Sequence, residues 1–107
     1  MALKYLGAVT ITAATPKLLT TALPTMKAEK GHALIIAQKR GNTGFVYIGD
    51  EDMTGESNAS ITIPPASASQ TPFYRHVFED APNGATIQGI KIDGSANEVV
   101  QISLEVL

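Results

Sequence analysis

The end of the chain constrains the fold most. Val100, Ile102, Leu104 and Val106 alternate with Gln101, Ser103 and Glu105. Period-two alternation of this length is the mark of a strand with one face in a core and the other toward water. No segment sustains apolar residues at i, i+3, i+4 and i+7 over three turns, so an amphipathic helix is not an available building block. Thr, Val and Ile dominate the apolar stretches, and β-branched side chains stiffen an extended backbone.

The same grammar recurs upstream. Val9 and Ile11 alternate with Thr10 and Thr12, and Leu34-Ile35-Ile36-Ala37 is a continuous apolar run, which suits a strand buried on both faces. Phe45-Val46-Tyr47-Ile48 follows the turn formers Arg40-Gly41-Asn42-Thr43-Gly44. Ile61 and Ile63 flank Thr62 before Pro64-Pro65 ends that strand. Phe73 to Phe78 reads as a further strand, and Ile87 to Ile92 as another, closed by Asp93-Gly94 as a turn pair. Pro82-Asn83-Gly84 is a strong turn signal, because Asn-Gly tolerates positive φ. Only Leu23 to Lys30 has room for a helical turn, limited by Pro24. Short strands with turn signals about every ten residues predict an all-β fold, a single antiparallel β-sandwich of seven to eight strands. Jelly-roll topology is the candidate, over one domain spanning residues 1–107. A chain of 107 residues buries one modest core. With six aromatics in all, that core must be built from Ile, Leu, Val and Ala.

Composition removes several function classes. Lys plus Arg is 8 against 10 for Asp plus Glu, so no basic excess draws the chain to nucleic acid. No cysteine is present, which excludes disulfides, thiolate-bound zinc and thiol nucleophiles. No apolar run reaches the ~18 residues that span a bilayer. Met1 to Leu6 carries one lysine and leads into threonines, a poor signal peptide. The expectation is a cytosolic product, or one that leaves the cell within an assembly, with no membrane partner.

Few residues invite chemistry. The acidic stretch Asp50-Glu51-Asp52-Met53-Thr54-Gly55-Glu56 matches the first half of an EF-hand loop, but Ile61 stands where the bidentate Glu belongs. It reads as a solvated connector able to meet a basic partner surface, which makes Asp50 and Asp52 partner-binding candidates. His32 and His76 read as strand residues; an enzyme is the least supported class, and a pocket placing either beside a carboxylate would reopen it. There is no Gly-x-Ser-x-Gly elbow and no glycine-rich phosphate cradle. Lys27, Lys30, Lys39 and Arg40 form a mildly basic region, read as a solvated edge before a docking patch. Tyr47, Phe73 and Tyr74 are candidates for a sugar-stacking platform or, more simply, for packing. Leu3, Tyr5 and Leu6 make Met1 to Gly7 apolar. This segment reads either as an arm contacting another chain or as a first edge strand or frayed end. No catalytic, metal-ligating or cofactor-binding residue is assigned.

One segment is distinctive: Gly41-Asn42-Thr43-Gly44-Phe45-Val46-Tyr47-Ile48-Gly49-Asp50. Together with Val9-Thr10-Ile11-Thr12, Leu34 to Ala37, Ile61-Thr62-Ile63-Pro64, Lys91-Ile92-Asp93-Gly94 and Val99 to Val106, it resembles the small β-sandwich virion proteins of tailed bacteriophages, above all head decoration or cement proteins. The acidic connector after Asp50 and the loop from Pro64 to Pro72 have no counterpart in that pattern. The resemblance implies a non-enzymatic capsid decoration protein. It also implies contacts with the major capsid protein and with copies of itself, as trimer or dimer. Its place would be the virion surface after synthesis in the host cytoplasm, with no cofactor. The alternatives are a glycan- or surface-binding module of a fibre, and a tail or neck component.

Overall fold

A computed structural model describes residues 2–13, 15–23, 33–67, 69–77 and 90–106. Among them run eight strands: β1 (Ala2–Thr10), β2 (Lys17–Leu18), β3 (Ala33–Gln38), β4 (Val46–Gly49), β5 (Ile61–Ile63), β6 (Phe73–Val77), β7 (Lys91–Gly94) and β8 (Val99–Val106). They form two four-stranded antiparallel sheets. The first has the order β1-β8-β3-β6 and the second β2-β7-β4-β5. The pairs β1:β8, β2:β7, β3:β6 and β4:β5 fall alternately in the first and second sheet. The chain therefore behaves as one long hairpin wrapped across two layers, which is the jelly roll.

The core lies between the layers and is aliphatic. Val9, Leu34, Ile36, Val100, Ile102 and Leu104 come from the first sheet; Val46, Ile48, Ile63 and Ile92 come from the second. Ile11, Leu19 and Ile90 complete it from the connections. Burying each such side chain contributes roughly 1.5–3 kcal/mol, and here the period-two pattern delivers them all to one side of each sheet. Of the outward residues of β3, Ile35 and Ala37 are half-covered, while Ala33 at its start is fully buried. This strand is central in its sheet, with one face fully buried and the other buried at Ala33 and partly covered at Ile35 and Ala37.

Two sequence expectations are corrected, and one left open is resolved. Helix α1 is a single turn at Leu19–Ala22, ahead of the Leu23 to Lys30 window. It sits there because Leu19 is fully buried and its N–H donates to Ile90 O at 3.0 Å; residues 24–30 lie outside the described residues. Asp93-Gly94 is strand, not turn: Asp93 pairs with Tyr47 and Gly94 with Val46. The chain reverses afterwards, where Asn97 takes φ 66°. Gly94 is required by proximity, since a Cβ there would stand 2.6 Å from Phe45 O. Of the readings of the N-terminal segment, the first edge strand is the one seen. β1 pairs with β8 from Ala2↔Val106 to Thr10↔Val99, with a bulge between Tyr5 and Gly7. Gly7 takes φ 152°, and a Cβ on it would meet Leu23 Cδ2 at 2.9 Å. The expected turn at Asn83-Gly84, the start of the Ile87 strand, Phe78, His32, Lys27 and Lys30 fall outside the described residues.

The distinctive Asn42 segment is a structural hub. Asn42 Nδ2 donates to Gln38 Oε1 at 2.6 Å and to Val99 O at 2.7 Å, while Val99 N–H donates to Asn42 Oδ1 at 3.3 Å. Gln38 Nε2 donates to Gly44 O at 3.0 Å and Pro64 O at 3.1 Å. The Glu98 carboxylate accepts the N–H groups of Thr43 and Gly44, both at 2.9 Å. Two buried amides and one carboxylate thus close the β3–β4 loop onto the start of β8 and the end of β5, leaving few loop groups unpaired.

Candidate interaction face

Strand alternation places the outward residues of the first sheet in cross-strand rows. Ladder partners put Leu3, Glu105, Ala33 and Val77 in one row, Tyr5, Ser103, Ile35 and Arg75 in the next, and Ala8, Gln101, Ala37 and Phe73 in a third. The middle of this face carries Gln101, Ser103, the ion-paired Glu105, the half-covered Ile35 and Ala37 and the buried Ala33, and the most exposed large apolar groups stand on its two edge strands. Leu3 is 70% exposed, Tyr5 59% and Phe73 60%. Edge strands lie about 14 Å apart across a four-stranded sheet, so the apolar groups bracket a shallow floor. Arg75 reaches diagonally across it to Glu105 in a bidentate pair, Nε to Oε2 and Nη2 to Oε1, each 2.9 Å. Arg75 holds the Glu105 carboxyl below its ordinary value, chiefly through that hydrogen-bonded fork.

Leu3, Tyr5 and Leu6 do not act together. Leu3 and Tyr5 are on the outward face, whereas Leu6 is partly buried and packs against the core. Adjacent residues of a strand face opposite ways, so Leu6 turns inward where Tyr5 turns outward; the bulge before Gly7 then resets the phase and brings Val9 to the inward face. Sequence alternation alone misses such a reset.

Asp50 and Asp52 belong to a different region. Asp50 shares a cavity of about 180 Å³ with Ser60, Ile61, Tyr74, His76 and Ile90, against β6, the sheet edge opposite β1. The connector is tied to itself: Asp52 N–H donates to Asp50 Oδ1 at 2.9 Å, and Asn58 Oδ1 accepts Thr54 N–H at 2.9 Å. Asn58 Nδ2 donates to Asp52 O at 3.1 Å. Met53, in the middle of this acidic run, is buried against Gly49, whose Cβ would stand 2.9 Å from that of Met53. The connector is therefore pinned to the second sheet, a feature that its charged neighbours conceal in the sequence.

His76 meets Tyr74 in the same cavity, Tyr74 Oη lying 3.2 Å from His76 Nδ1. Histidine, carboxylate and hydroxyl thus line one space, the arrangement that reopens the enzyme class without assigning a catalytic residue. Tyr47, Phe73 and Tyr74 do not form a platform. Phe73 faces outward from the first sheet, Tyr74 lies in register with the core residue Ile36, and Tyr47 faces outward from the second sheet. No three His, Cys, Asp or Glu side chains converge as a metal-binding group among the described residues. No helix among the described residues is long and apolar enough to cross a membrane. No protein-family model, no curated protein and no solved structure matches the chain.

Proposed function

We propose that this protein is a non-enzymatic structural component of a phage virion. It decorates the capsid shell and stabilises it through contacts with the major capsid protein and neighbouring copies of itself. The observation that carries this reading is the outward face of the first sheet, where Leu3, Tyr5 and Phe73 stand exposed on the two edge strands around a shallower floor of Ile35, Ala37, Gln101 and Ser103 crossed by the Arg75–Glu105 pair. Exposed apolar groups gathered on one face mark an interaction surface, and a rigid two-layer sandwich behind them supplies a strut. The likeness of the Asn42 to Asp50 segment to head decoration proteins supports the shell as the partner.

The test is the ratio of this chain to the major shell protein across a density gradient of native lysate. Near-stoichiometric banding with DNA-filled particles is expected. Particles lacking the chain should rupture at lower temperature, and unchanged rupture would overturn the reading. A trace ratio would move the protein to the tail or neck. A fibre module would instead bind glycans, and the divergent directions of Tyr47, Phe73 and Tyr74 leave it no shared stacking surface. The cavity of Asp50, Ser60 and His76 gives the enzyme class one concrete test. Labelling of Ser60 by a fluorophosphonate would establish a nucleophile there, and a decoration protein predicts none.

A further inference from the structure

The outer face of the second sheet carries chemistry of the opposite kind. Tyr47 on β4 and Asp93 on β7 are direct cross-strand partners, and both point away from the core because Val46, Ile48 and Ile92 point into it. The pinned connector rises over them. Tyr47, Thr54, Glu56, Ser57 and Asp93 line a cleft of about 480 Å³. Asp93 is only 4% exposed, and its Oδ1 is buried with no hydrogen-bond partner. Leaving a buried acceptor unpaired is unfavourable, and more so when the group carries charge. Lys91 stands two residues away on the same strand face, yet its Nζ goes to Met53 O at 3.4 Å. Among the described residues neither Asp93 nor Glu56 has an ion-pair partner. Glu56 faces the Tyr47 hydroxyl and raises the phenol pKa above its ordinary 10.0.

The cleft therefore holds two carboxylates, one of them buried with an orphaned oxygen, and the local lysine is engaged elsewhere. A divalent cation would want more hard donors than two carboxylates supply, and among the described residues no third acidic or imidazole ligand converges there. What two separated carboxylates do accept is a planar array of N–H donors. We propose that this cleft is a binding site for an arginine side chain of a partner polypeptide. A guanidinium carries five donors in a fixed fork and no acceptor, so one group can serve Asp93 and Glu56 together. Its charge complements theirs, and its flat face fits beside the Tyr47 ring. The terminal torsion of an Asp is broad, so the Asp93 carboxyl can turn Oδ1 toward the incoming donor without moving the strand. The site stands whether or not the protein sits on a shell.

The test uses the full chain, isotope-labelled, with backbone amide shifts followed during titration with Nα-acetyl-arginine amide. Nα-acetyl-citrulline amide, of the same shape but uncharged, is the control. Saturable shifts at Tyr47, Glu56, Asp93 and Gly94 with arginine and not with citrulline are expected. Asp93→Asn should weaken binding roughly tenfold or more, while keeping a dispersed spectrum and a Tm no lower than that of the parent. Glu56→Gln, on the exposed connector, should weaken binding less and leave the fold intact, which keeps the test decisive if Asp93→Asn misfolds. No saturable shift, an equal response to citrulline, or undiminished binding in both variants overturns the proposal. Calcium chloride shifting these amides where arginine does not would overturn it in favour of a cation site.

Discussion

Asn42→Ala tests the hub directly. The wild-type side chain makes three hydrogen bonds, two as donor to Gln38 Oε1 and Val99 O and one as acceptor from Val99 N–H. After truncation Val99 O keeps the Lys39 N–H at 3.3 Å, so that group loses little. Gln38 Oε1 loses its donor in a residue that is 1% exposed, and Val99 N–H loses its acceptor. An orphaned buried group costs about 1–3 kcal/mol, and the second loss, nearer the surface, adds about 1 kcal/mol. The expected destabilisation is therefore about 2–4 kcal/mol. For a chain of this size each kcal/mol lowers Tm by about 4–6 °C, so a fall of roughly 10–20 °C follows. Urea unfolding followed by circular dichroism gives the free energy, and calorimetry gives Tm. The mechanism adds a second requirement. In a Gln38→Leu background the orphaned oxygen no longer exists, so Asn42→Ala should cost less there, by at least ~0.5 kcal/mol. A loss below about 1 kcal/mol, or strict additivity with Gln38→Leu, would refute the hub as a buried network.

Other outcomes follow from the same contacts. Gly44→Ala should destabilise by about 1–3 kcal/mol, because the new Cβ would stand 2.8 Å from Ser95 Cβ; Ser95→Gly should recover most of it, measured by urea unfolding. Leu3→Ser with Tyr5→Ser should leave Tm within a few degrees, since both side chains are exposed, yet abolish co-sedimentation with shells; retained co-sedimentation would move the docking surface elsewhere. Arg75 lowers the Glu105 pKa below its ordinary 4.5, so the pair's stabilisation is present above that value and is lost as pH falls through the folded-state value. Arg75→Gln should move the Glu105 side-chain titration, read by NMR, upward toward 4.5; no movement would deny the pairing in solution.

Local regularity made much of the fold readable from sequence. Val100 to Glu105 and Ile61 to Ile63 show their buried and open faces by alternation alone, because a strand's two sides are set within the strand. What stayed hidden depends on distant partners. Asn42 and Val99 are brought together by the β3–β8 pairing, and nothing local distinguishes a hub asparagine from a turn asparagine. Asp93-Gly94 carries turn chemistry but is held in the ladder by Tyr47 and Val46, a case of tertiary pairing overriding propensity. Leu6 separates from Leu3 and Tyr5 by alternation alone, but the change of phase that turns Leu3 and Tyr5 outward while Val9 turns inward comes from the bulge, for which Gly7 was the sole hint. The acidic run masked Met53 as a buried anchor, and the orphaned oxygen of Asp93 has no sequence signal at all.

The jelly roll uses the inner face of each sheet for the core, so its two outer faces are free to differ. One presents Leu3, Tyr5 and Phe73 around a floor crossed by the Arg75–Glu105 pair. The other presents the acidic cleft of Glu56 and Asp93. A body with an apolar face and an acidic face on opposite sides can hold two neighbours at once, which is what cementing requires and what a simple ligand-binding module does not. Variants on the two faces then have separable effects. Tyr5→Ser should remove apolar contact and leave the salt dependence of shell binding unchanged. Asp93→Asn should flatten that salt dependence, because charge pairing is screened and apolar burial is not. The double variant should lose affinity as the product of the two single losses, since distant sites add in free energy. Shell binding that depends on one face alone, with the other variant indistinguishable from the parent at every salt concentration, would refute the two-sided strut.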